Sequence, residues 1–216
     1  MKKLLVTLLL ALTFTQLSAN AFDFSQIFKW LFFGYNTAQT TTITTEDLTK
    51  TLNDITSKTK STDESVNKAF LSVVSMLSTQ NEAKKIEDEY NSIFSSNLTN
   101  DEKNIKFLNL VEKYITTLRS NKLTTILTIK SLSDKEKSSL TSSIQDMVKY
   151  SQEYTTLSKK GVDTASKVVS TLDDEQVKIL KEINTASSSL TKRANVLSDF
   201  ATQVKTLSTL AGLKFQ

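Results

Sequence analysis

An all-α fold is what this sequence predicts, and three observations predict it. The 216 residues include three glycines and no proline, whereas sheet proteins with many tight turns rarely lack both. Apolar residues recur in alternating steps of three and four, the spacing of a helix stripe that faces a neighbouring helix. Short phrases of Ser, Thr or Asp followed by acidic residues stand where those stripes begin, as helix starts do. Together they predict an elongated antiparallel bundle, a coiled-coil-like rod of about four long helices, preceded by a short aromatic amphipathic helix.

The chain opens with "MKKLLVTLLLALTFTQLSANA". Lys2 and Lys3 precede an apolar run from Leu4 to Phe14, and Ala19-Asn20-Ala21 has the small-x-small pattern of a cleavage site. Residues 1–21 therefore read as a secretory signal peptide, with an uncleaved N-terminal anchor as the competing reading. The run is shorter than the roughly 20 apolar residues that a bilayer crossing needs. The expected location is exported, periplasmic or secreted. Absence of cysteine is compatible with it and leaves stability to the core.

Residues 22–35, "FDFSQIFKWLFFGY", are aromatic at seven of fourteen positions. At about 100° per residue, Phe24, Ile27, Phe28, Trp30, Leu31, Phe32 and Tyr35 fall within one arc of roughly 200°. Ser25, Gln26 and Lys29 face the other way, with Phe33 among them. This is a wide amphipathic helix, too short to span a membrane at roughly 20 Å. Three readings are open: a first helix folded over the bundle, a membrane-interface helix, or an anchor in another protein's groove. An exposed apolar patch of this size is unusual on a free monomer.

The Thr-rich stretch 36–44 has poor helix propensity and reads as an extended linker. Residues 45–216 then form the bundle, with helices expected at about 45–96, 101–131, 134–171 and 174–211. The ladder from Leu48 through Leu52, Ile55, Thr59, Thr62, Val66, Ala69, Val73, Met76 and Gln80 supports the first. A break is expected near residues 59–64, where Ser61 and Glu64 match a capping box. Thr44 or Thr45 caps its start. "NDEK" at 100–103, "SDKE" at 133–136 and "DDEQ" at 173–176 start the others, with acidic residues against the positive end of the helix dipole. Two charges fall on apolar ladders, Lys122 and Arg193. Both are expected to lay their stems on the core edge with their heads in water. Thr59, Thr62, Gln80, Ser151 and Ser158 make the predicted core thin, so a homo-oligomer burying its stripe against a second copy is one outcome.

The composition also bounds the chemistry. Without histidine or cysteine, Ser-His-Asp, Cys-His and zinc arrangements are excluded. There is no Gly-rich phosphate loop, and no catalytic, cofactor or metal site is expected. The acidic runs Glu87–Glu89 and Asp173–Glu175 lack the glycine and spacing of a calcium loop; they read as a solvated face and a helix cap. Without Lys2 and Lys3, 25 Lys+Arg face 23 Asp+Glu, a net charge of +2. That near-balance argues against nucleic-acid binding, which neutralises phosphates with a large positive excess.

In layout the chain resembles two exported all-helical classes: minor pilus-tip subunits of type IV secretion systems, and helical pore-forming toxins of the cytolysin A type. The likeness to the first lies in signal peptide, length and long helices, that to the second in a membrane-active segment hidden against a long bundle, and no residue role carries over. The functional expectation is a non-enzymatic helical protein acting on a protein partner or a membrane surface through residues 22–35. A membrane-active or pore-forming protein is the alternative.

Overall fold

The computed structural model describes residues 43–168 and 172–215. Within them the chain is all-helical, with no strand, and its helices pack against one another. They are α1 (Thr45–Leu77), α2 (Gln80–Ser95), α3 (Asn100–Ser120), α4 (Lys122–Ser131), α5 (Asp134–Ser166) and α6 (Asp174–Leu210). The expected signal peptide, the aromatic segment and linker residues 36–42 lie outside the described residues. Among the helices described, none is long and apolar enough to cross a membrane.

The count is six where the ladders predict four, because two expected helices break. The first stops at Ser78, whose backbone is extended, and Thr79 opens α2 with a capping box to Glu82. Gln80, expected on the core stripe, is thereby exposed. The second breaks at Asn121, which ends α3 and begins α4 without a side-chain cap bond; Lys122 is exposed. The break expected at residues 59–64 is absent: α1 runs through it. Thr62 satisfies its hydroxyl within the helix by donating to the Lys58 carbonyl at 2.9 Å. Ser61 is likewise interior, its carbonyl accepting from the Ser65 hydroxyl at 3.2 Å.

The other starts follow the capping grammar. Thr44, Thr79, Thr99, Ser133 and Asp173 each accept from the backbone N–H three residues on, and the acid or amide there bonds back. The α3 cap is Thr99 with Glu102, one residue before the Asn100 that "NDEK" suggests. At the far end of α6, Gly212 takes a left-handed φ of +98°. That allows Leu213 N–H to reach the Ser208 carbonyl and Gly212 N–H the Thr209 carbonyl, both at 3.0 Å, closing the helix with a Schellman motif.

Cross-helix pairs fix directions. α5 runs antiparallel to α1, since Asp54 meets Lys160 while Ser72 meets Ser143. It is also antiparallel to α6, since Ser158 meets Ser187 and Ser151 meets Ala194. Among the described residues, one end of the bundle, where α1 and α6 start, consists of these three helices. The other end adds α2, α3 and α4. There Phe70 of α1, fully buried, takes Phe107 and Tyr114 of α3 edge-on at 5.5 and 5.9 Å and Phe200 of α6 at 5.5 Å. The turn at Ser78–Thr79 sends α2 back so that Tyr90 and Phe94 extend the cluster onto Phe107. Such ring pairs each add about 0.5–1.5 kcal/mol beyond burial.

The polar ladder positions have a specific use. Ser158 donates to the Ser187 carbonyl at 2.9 Å and Ser151 to the Ala194 carbonyl at 3.1 Å, stitching α5 to the backbone of α6. Between the two helices Gly161 leaves no room for a side chain: a Cβ there would lie 2.0 Å from the Ser187 Oγ. Small residues are what let these two backbones approach.

Candidate functional site

Where the three-helix end meets the larger end, α1, α5 and α6 each place one polar side chain at a common point. Asp63 comes from α1, Tyr154 from α5 and Arg193 from α6. All three follow from helical phase. Tyr154 continues the stripe of Ile144, Met147 and Ser151, and Arg193 lies between Leu190 and Leu197. Asp63 follows the buried Thr62 and precedes the buried Val66.

Arg193 is a correction to the expectation that its head reaches water. The residue is 5% exposed, and its Nη1 donates to both Asp63 carboxylate oxygens at 2.5 and 2.7 Å. The Tyr154 hydroxyl donates to Asp63 Oδ1, and the guanidinium carbon lies 5.8 Å from the tyrosine ring. A buried charge must be paired to be tolerated, and here carboxylate and guanidinium neutralise each other. Burial pushes the Tyr154 phenol well above its usual range, and the neighbouring Asp63 charge pushes it further. The phenol therefore stays protonated and able to donate.

Arg193 Nε is buried without a hydrogen-bond partner among the described residues. Beside it is a void of about 10 Å³, lined among others by Asp63, Asn104, Tyr154 and Arg193. That volume holds about one water and no organic substrate. With its carboxylate accepting from both partners, the cluster acts as a polar tie between three helices.

The acidic runs serve elsewhere. Glu87, Asp88 and Glu89 are exposed, and Glu89 pairs with Lys113 at 2.9 Å. Asp173 caps α6 by accepting from Gln176 N–H at 2.8 Å. Among the described residues no group of three or more carboxylates could hold a metal ion. The sequence-predicted contact residues Phe24, Ile27, Phe28, Trp30, Leu31, Phe32 and Tyr35 all lie outside the described residues. The bundle begins beside α6: the Ile43 carbonyl accepts from Gln176 Nε2 at 3.4 Å.

Sequence reasoning missed Asp63 as the partner of Arg193. An arginine on an apolar ladder was the available signal, but its counter-charge lies 130 residues away. No protein-family model, curated protein or solved structure matches the chain.

Proposed function

We propose that this chain is an exported, non-enzymatic helical protein that works by interaction, with an elongated rod-like bundle carrying residues 22–35 as its docking segment. One observation carries the reading: residues from Leu48 to Leu207 form a buried core whose aromatic centre is drawn from α1, α3 and α6. A bundle with its own core does not need a further aromatic helix to fold. A second observation agrees. The large apolar side chains exposed among the described residues are Ile105, Leu123, Leu127, Val148 and Leu210, all on the half of the bundle away from Ile43. The three-helix half, next to the tether, offers no comparable apolar surface among its described residues.

Deleting Phe22 to Tyr35 tests the reading. The expected result is unchanged helicity per residue and cooperative unfolding, with loss of partner or envelope association. Aggregation or melting at room temperature would place the segment in the core and overturn it. Dye release from liposomes by the intact protein, lost on the same deletion, would favour the membrane-active alternative.

A further inference from the structure

We propose that the end of the bundle formed by α4 is a second contact surface, separate from residues 22–35, and that it docks on an anionic lipid surface. α4 is the sequence "KLTTILTIKS". Its inward side buries Thr125 and Ile129. Its outward side carries Leu123, Leu127 and Lys130, at i, i+4 and i+7 on one helical face. Leu123 is 72% and Leu127 58% exposed, so both project into solvent. Leu210, at the last turn of α6 and the same end of the bundle, is 53% exposed. Three of the most exposed large apolar residues thus share one end, which is more than single scattered exposures explain.

Charge complementarity selects the occupant. Residues 119–137 carry Arg119, Lys122, Lys130, Lys135 and Lys137 against Asp134 and Glu136. Arg119 is spent on Asp199, but none of the four lysines has a carboxylate within salt-bridge distance among the described residues. Glu136 is turned back on its own helix start, accepting from Ser133 N–H at 2.8 Å. Leucines flanked by free lysines suit a layer of anionic headgroups over hydrocarbon, where apolar side chains enter the boundary and cations meet phosphates. The same charge opposes pairing with this end of a second copy.

The surface is built from α4 and the last turn of α6 and includes no residue of 22–35. α1 separates Ile43 from the α4 end by about 50 Å. A label on α4 reads this surface directly.

The chain has no native cysteine, so a single spin label can report on one place. The full chain is labelled at Thr124→Cys on α4 or, as a control, at Thr156→Cys on the exposed face of α5. It is then mixed with phosphatidylglycerol/phosphatidylcholine vesicles or with phosphatidylcholine alone. The label at 124 should become accessible to lipid-soluble oxygen on the anionic vesicles only, and the label at 156 should stay in water. Leu123→Ser with Leu127→Ser should weaken partitioning about tenfold with helicity unchanged. Lys122→Glu with Lys130→Glu, or about 1 M salt, should abolish it. Failure of the chain to bind, equal immersion on neutral vesicles, or a label at 124 that stays in water on bound protein would each overturn the proposal. Capture by poly-glutamate beads with no lipid immersion would also overturn it and assign the surface to an acidic protein.

Discussion

Arg193 and Asp63, 130 residues apart in sequence, meet as a two-pronged ion pair at 2.5 and 2.7 Å between α6 and α1. The arginine side chain is 6% exposed and the aspartate 22%. In that setting the pair contributes less to net stability than either group costs when left alone.

Asp63→Ala should therefore destabilise the bundle by about 3–5 kcal/mol, because it strands a buried cation. Replacing both partners, Asp63→Leu with Arg193→Met, should recover most of that loss. The exposed pair Arg119–Asp199, at 2.7 Å, provides the contrast: Asp199→Ala should cost under about 1 kcal/mol. Urea midpoints at constant m-value report all three. Equal losses at Asp63 and Asp199 would contradict the burial argument.

Alkaline pH should destabilise the protein through buried phenols. Burial raises Tyr114 to about 12, and burial with the Asp63 charge raises Tyr154. A phenol with a raised folded pKa stays protonated while the unfolded chain releases its proton near 10. Its contribution is complete below that value and is lost as pH rises toward the folded pKa. Each such tyrosine should remove about 1.4 kcal/mol per pH unit across the window above 10. Tyr114→Phe should flatten the decline measured by denaturant unfolding between pH 9 and 11. An unchanged slope would mean that the phenol titrates freely when folded.

Gly161→Ala should destabilise despite alanine's better helix propensity. The new methyl would sit 2.0 Å from Ser187 Oγ, 3.2 Å from Ile183 Cγ2 and 3.3 Å from Ile55 Cδ1. Ser187 is 2% exposed, and its hydroxyl already donates to the Ile183 carbonyl at 2.8 Å. Overpacking of this kind costs about 1–3 kcal/mol, against about 1 gained in propensity. Adding Ser187→Ala should recover part of the loss, and a double-mutant cycle reads the coupling.

At the start of α3, Thr99→Ala should cost about 1 kcal/mol by removing the capping hydroxyl. Asn100→Ala, one residue on, should fall within about 0.5 kcal/mol of wild type. Thermal unfolding of the two variants decides which residue is the cap.

Much of the fold was legible because helices are encoded locally. The missing prolines, the 4-3 ladders and the Ser133–Glu136 and Asp173–Gln176 phrases located α5 and α6 nearly to their ends. The breaks at Ser78 and Asn121 were hidden because the ladder continues through both. Exposed Leu123 and Leu127 stood off the ladder of Ile126 and Ile129, a readable sign that α4 is apolar on more than one side.

By itself, then, the sequence determined the helical class, the capped starts at Ser133 and Asp173 and most of the buried stripes, since backbone hydrogen bonds and caps involve neighbours four residues apart or fewer. Only the tertiary structure decided that Arg193 is buried, that Ser158 and Gly161 mark the close approach of α5 to α6, and that α4 forms one end of the bundle. Each of these depends on which helix lies opposite. A polar residue on an apolar stripe reads alike whether it meets water, a backbone carbonyl or a counter-charge, and only packing chooses among them.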